Sequence, residues 1–203
     1  MNNIKQIEVI YDNRLVGRLA LTKEGLCAFE YSVEWIGSGF SISPFELPLR
    51  NGVFIAKPRP FEGGFGVFDD CLPDGWGLLI LDRYLQQKGI NPRTLTILDR
   101  LALVGSTGRG ALEFRPDHSV VTRQDYVDFE KLALEAEQIL DSDDYTGEGI
   151  EEFQDRGGSP GGARPKIFVR YDDKEWLVKF RAKRDPQSIG IDEYRYSLLA
   201  KQC

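Results

Sequence analysis

Three features of this 203-residue sequence carry residues suited to chemistry: the stretch RGGSPGGARPK at 156–166, Lys179, and Glu193. The stretch holds four glycines and Ser159 in eleven positions and ends on Lys166. Glycine lets a backbone turn its N–H groups toward an anion without a Cβ in the way, so such a loop can cover phosphates. Lys179 stands in WLVKF, a strand-like run in which a lysine among aromatic residues needs an acidic or phosphate partner. Glu193 follows fourteen residues later at the head of a predicted helix. Each feature also has a plainer reading. The loop can be a flexible joint, Lys179 an edge-strand lysine whose stem covers apolar surface, and Glu193 an acid favoured by the helix dipole.

Named phosphate motifs do not decide between these. The Walker pattern requires lysine after its second glycine, but here Gly162, five residues after Gly157, is followed by Ala163. GxGxxG is absent, and no parallel βαβ unit surrounds the loop.

The elements that position these residues follow from periodicity. IKQIEVIY, RLVGRLAL and LCAFEY, broken by Asp12-Asn13 and TKEG, predict a β-meander. FSISPFELPLR predicts a further extended segment held out of helix by Pro44 and Pro48. Helices are predicted over 73–89, 94–103 and 123–140, the last with Tyr126, Phe129, Ala133, Ala136 and Ile139 on its apolar face. GALEFRP returns to strand. DSDDYTGEGIEEFQDRGG is acidic and poor in aliphatics, so 142–156 is expected to be a linker between a subdomain over 1–141 and a lobe over 157–203. KIFVRY and EWLVKF form a hairpin around Asp172-Asp173. IDEYRYSLLAKQC opens a helix with Tyr194, Leu198 and Leu199 on one face, and this apolar face predicts that the native polypeptide continues past Cys203.

Composition narrows the class. A net charge of −6 argues against a general nucleic-acid or membrane-surface binder. No apolar stretch approaches the roughly 20 residues that span a bilayer. Three widely spaced cysteines, Cys27, Cys71 and Cys203, predict reduced cytoplasmic thiols, neither a disulfide framework nor a zinc site. The lone histidine, His118, is expected in a loop, and no metal site is predicted.

Glycine loop, antiparallel hairpin, strand lysine and helix glutamate succeed one another as in the small lobe of protein kinases. GGSPGGARPK resembles the Ser-x-small-Gly-small-x-x-Lys loop of HipA-type serine/threonine kinases, the toxins of bacterial toxin–antitoxin modules. GRLAL, FEYSVEWI, SISPFELPL, PFEGGFGVFDDCLPDGWGLLILDRYL and LDRLALVGSTGRGALEFRP resemble that family's amino-terminal subdomain in order and spacing. LVKF and DEYRYSLLAKQC resemble its strand lysine and the next helix. The likeness covers essentially the whole chain.

The resemblance implies an α+β fold: an amino-terminal β-meander with packed helices, then a kinase-like antiparallel small lobe. It implies ATP, with magnesium, as cofactor of the whole protein. Gly161, Gly162, Ala163, Arg164, Pro165 and Lys166 would lie along the phosphates, Lys179 would bind ATP, Glu193 would orient the lysine, and Ser159 would be an autophosphorylation site. Pro160 and Arg164 depart from the family's loop pattern, stiffening the loop and adding a charge. The family's catalytic and metal-binding aspartates lie in a later helical lobe, so these 203 residues are expected to transfer no phosphate alone. Implied partners are a helix-turn-helix antitoxin, DNA only through that antitoxin, and a protein substrate, for which an aminoacyl-tRNA synthetase is the family's example. Two other readings remain: a natural non-catalytic module acting on a partner kinase or antitoxin, and an unrelated α+β binding protein with a glycine joint.

Overall fold

A computed structural model describes residues 4–119, 127–142, 145, 147–157 and 162–203. The fold is α+β. Strands β1 (Gln6–Tyr11), β2 (Arg14–Leu21) and β3 (Cys27–Tyr31) form the expected meander. The β1–β2 turn is made by Asp12 and Asn13, both at positive φ, a two-residue turn whose twist matches the strands it joins. Helix α1 (Val33–Ser38) follows, then the edge strand β4 (Val53–Ile55). Next come the short α2 (Gly66–Asp69), α3 (Gly75–Gln87), a single 3-10 turn at Pro92–Thr94, and α4 (Ile97–Val104). Strand β5 (Leu112–Arg115) closes an all-antiparallel sheet of order β4-β3-β2-β1-β5.

One face of this sheet buries Ile7, Val9, Leu19, Phe29, Tyr31 and Phe114 against Phe65 and Phe68 around α2 and Leu98 and Leu101 of α4. The alternation read from the sequence therefore produces the first core directly. Two local expectations change. Residues 40–50 are not a strand: Ser43 and Leu47 bridge around Pro44, and the Tyr31 hydroxyl donates to the Leu47 carbonyl at 2.6 Å, closing a tight loop. Helix α4 begins at Ile97 rather than near 94, because Thr96 and Asp99 form a reciprocal capping box there.

The second core differs more from expectation. Helix α5 (Phe129–Asp141) follows Val127 and Asp128, which are not helical, with the Asp128 carboxylate accepting from the Lys131 N–H at 3.0 Å; residues 123–126 of the predicted helix lie outside the described residues. Its buried face is Leu132, Ala136 and Ile139; Phe129 is exposed, and Tyr126 lies outside the described residues. The stretch expected as an acidic linker contains a helix, α6 (Gly149–Gly157), in which Ile150 and Phe153 are buried. Two apolar residues three apart suffice to dock one helical face, and the acids occupy the other. Trp76 and Ile80 of α3 join Leu132, Ala136, Ile139, Ile150 and Phe153 in this cluster. Ile167 and Val169 of β6 (Lys166–Tyr171) and Phe180, just past β7 (Lys174–Lys179), complete it. The β6–β7 hairpin is thus seated on α3, α5 and α6. It turns on Asp172 and Asp173, both at positive φ. Helix α7 (Ile189–Ala200) is the last element. Among the described residues, no helix is long and apolar enough to cross a membrane.

Candidate phosphate-binding site

The hairpin register places Lys166 directly opposite Lys179. Ile167 and Val169 turn into the second core, so the lysines occupy the other face of the ladder, which Phe168 and Leu177 share. Val178 and Phe180 point into the core as alternation requires, but Trp176 is half exposed, because the hairpin tip extends beyond the helices beneath it. The ladder is prolonged by the Phe180 N–H, which donates to the Pro165 carbonyl at 2.8 Å. That bond fixes where the glycine-rich loop enters the sheet.

Above the lysines lies a pocket of about 590 Å³, roofed by Gly162, Ala163 and Arg164, floored by Lys166 and Lys179, and walled by Glu193 and Tyr196 of α7. Gly162 sits at φ +97°. A Cβ there would also lie 3.1 Å from the Lys166 Nζ, so the lysine is tucked beneath the loop. Lys179 forms an ion pair with Glu193. Arg164 pairs with Asp185, whose carboxylate also accepts from the Ala182 N–H at 2.9 Å. Pro165 is buried and does not line the pocket. Ser159 and Gly161 lie outside the described residues.

The electrostatics favour an anion. Lys166 is only 7% exposed. Burial, reinforced by the Lys179 charge and opposed by Asp74 and Glu193, holds its ammonium below the usual lysine range. A phosphate between the lysines would restore the stability of that charge. A second pocket of about 580 Å³ is lined by Glu62, Asp69, Asp74 and Arg100. There burial and the neighbouring Asp70 and Glu62 push the Asp69 carboxyl up. Among the described residues, no three His, Cys, Asp or Glu side chains converge as a metal cage.

Sequence reasoning missed the part played by α3. Asp74 accepts a hydrogen bond from the Gly162 N–H at 2.9 Å, and the Trp76 N–H donates to the Gly162 carbonyl at 3.1 Å. Pro-Asp-Gly at a helix start reads locally as a cap and turn, which hides a partner 88 residues away. Arg109 was missed for the same reason. It stacks over Phe168, its guanidinium carbon 3.4 Å from the ring centre, and pairs with Glu175 at 2.6 Å, tying the loop before β5 to the hairpin.

Residues 7–115, more than half of the chain and spanning β1 to the end of β5, match the family model described as the HipA N-terminal domain. No curated protein matches the chain.

Proposed function

Because the chain belongs to the family of the HipA N-terminal domain, we propose that it is the front part of a HipA-like serine/threonine kinase, with the pocket beneath Gly162 gripping the phosphates of ATP. The observation that supports this is the opposed pair Lys166 and Lys179 under a glycine-rich loop. Two like charges facing each other on one ladder, one of them buried, gain most from an anion with several oxygens. In this reading the backbone N–H groups near Ala163 cover the phosphates, and both ammonium groups contact them. Glu193 keeps Lys179 in place through the ion pair already formed. Arg164 contributes less, since Asp185 holds its guanidinium.

The described residues suit the phosphates and not the magnesium that accompanies ATP, for which they supply no carboxylate cluster. The carboxylates for the metal and for phosphoryl transfer are assigned to the family's helical lobe, and the 203 residues are expected to bind without transferring phosphate. The whole protein would act in the cytoplasm as a toxin on a protein serine or threonine. A helix-turn-helix antitoxin would be its partner and its only route to DNA.

The test is titration of the 203-residue chain with ATP, followed through the backbone amides of residues 162–164, 166 and 179. Saturable shifts there, abolished by Lys179→Ala, are the expected result. A chain whose amides ignore millimolar ATP would overturn the proposal.

A further inference from the structure

The first turn of α3 is built abnormally for a helix start, and each abnormality involves Gly162. Asp74 occupies the N-cap, where an aspartate ordinarily accepts from a backbone N–H of its own first turn. Here it makes no capping bond and accepts instead from the Gly162 N–H at 2.9 Å. The Trp76 N–H, a first-turn donor with no partner inside the helix, is turned to the Gly162 carbonyl at 3.1 Å. One loop residue is therefore held at both its backbone groups. Between the two holding residues stands Gly75, at φ +44°. A Cβ at 75 would lie 2.7 Å from both the carbonyl carbon and the oxygen of Gly162, and 2.9 Å from the Ala163 nitrogen. Only glycine admits this approach. Helix stability alone gives no reason for a diverted cap next to an obligatory glycine.

We infer that Asp74 and Gly75 are positioning residues for the phosphate-facing loop, so that affinity for phosphates is set partly from within the HipA N-terminal domain. This rests on the proposed ATP reading of the pocket. The physical chain is short. The clamp fixes Gly162; Gly162 in turn fixes where Ala163 lines the pocket and lies against Lys166. Released from the clamp, the loop would have to be ordered by the nucleotide itself, and that entropy cost would appear as lost affinity. The carboxylate also illuminates the choice of residue. Asp74 lies close enough to raise the pKa of Lys166, and a negative charge near a phosphate site is a disadvantage unless it does something else.

The experiment uses the 203-residue chain and ATP, with Asp74→Ala, Asp74→Asn and Gly75→Ala. Losing the clamp should weaken ATP binding on the order of tenfold in Asp74→Ala and Gly75→Ala. Asp74→Asn keeps an acceptor oxygen and sheds the charge, so it should bind within about twofold of wild type, or more tightly. Hydrogen exchange at the Gly162 amide, measured without nucleotide, should be slow in wild type and Asp74→Asn and fast in Asp74→Ala. Wild-type binding with unchanged affinity in Asp74→Ala overturns the clamp and leaves the ATP reading standing. Equal losses in Asp74→Ala and Asp74→Asn also overturn it, since the acceptor would not matter. If wild type does not bind ATP, the ATP reading falls, and the clamp is judged by Gly162 exchange alone: equal exchange in wild type and Asp74→Ala sinks it. Should Asp74→Ala fail to fold, the other two variants decide: the clamp stands if Gly75→Ala weakens binding and Asp74→Asn does not, and falls otherwise.

Discussion

Lys166 and Lys179 face each other across the β6–β7 ladder, two positive charges where cross-strand pairing favours opposite ones. Lys166 is the buried member, beneath Gly162. Burial and the facing Lys179 outweigh the nearby Asp74 and Glu193 in holding the Lys166 ammonium below the usual lysine range, so its charge costs stability without ligand and, in the proposed ATP reading, gains it with an anion. Lys166→Met should therefore raise the melting temperature at neutral pH by a few degrees, corresponding to about 1 kcal/mol or less, while weakening ATP binding. Thermal melts and ATP titration of one variant check both halves. A variant that melts lower and binds ATP equally well would remove Lys166 from the site.

The same lysine gives a pH dependence with a definite sign. Its folded-state pKa lies below the usual value of 10.5. At neutral pH both folded and unfolded forms are charged, and the cost of the buried ammonium is fully expressed. As pH rises past the folded pKa, the folded state loses this proton first, so the unfolded state binds more protons and stability increases. The stability advantage of Lys166→Met over wild type should accordingly shrink between pH 7 and about pH 10, approaching the unperturbed lysine range. Denaturant melts at the two pH values read it directly, and a constant or widening gap would contradict it.

The three cysteines should react in a fixed order. Cys27 is fully buried and its thiol is pushed up to about 11 by burial. Cys71 is half-buried and also pushed up to about 11, by burial first and then by Asp70. Cys203 is exposed. Thiolate is the reacting form, so iodoacetamide at neutral pH should label Cys203 well before Cys71, and Cys27 only on unfolding. Peptide mass mapping over a time course checks the order.

What the sequence made readable, and what it hid, divides by distance along the chain. The meander, the β6–β7 hairpin and α3 were legible because alternation, a paired Asp turn and a terminal glycine are local signals. Lys179 and Glu193 were legible as a candidate pair because strand and helix each announce themselves and the pair spans only fourteen residues. Helix α6 was hidden: the charge of Glu151, Glu152 and Asp155 masked the two residues, Ile150 and Phe153, that dock it. Asp74 was hidden because a cap and a long-range acceptor look alike in sequence. Charge run and cap motif both describe the solvent-facing or local half of a residue's surroundings, and packing supplies the other half.

Phe153 makes the consequence of α6 measurable. Its ring meets Trp76 edge-on at 5.0 Å and lies 5.8 Å from Phe180, so one side chain joins α3, α6 and the hairpin. Phe153→Ala should cost about 3–5 kcal/mol. Because Trp76 and Ile80 lie on α3, inside the stretch that matches the N-terminal domain, the wild-type chain should also unfold in one transition. Coincident tryptophan-fluorescence and circular-dichroism melts are the expected outcome. Two separated transitions would mean that the second core does not couple the parts.

Helix α7 offers the converse test, on the surface. Ile191 is 57% exposed, Tyr194 63%, Tyr196 73% and Leu199 56%, and the helix has no buried residue. Apolar side chains concentrated on one short exposed helix should bind an anilinonaphthalene dye in the native state. Ile191→Lys combined with Leu199→Glu should reduce that fluorescence several-fold. Their burial contributes little to folding, so the melting temperature should move by no more than about 0.5 kcal/mol would shift it. Neither Ile191 nor Leu199 lines the pocket, so ATP binding by the double variant should stay close to wild type. Dye binding unchanged by the substitutions would place the apolar surface elsewhere, on the hairpin tip where Tyr171 and Trp176 are also exposed. A large drop in melting temperature would show instead that α7 is packed more tightly than its exposure indicates.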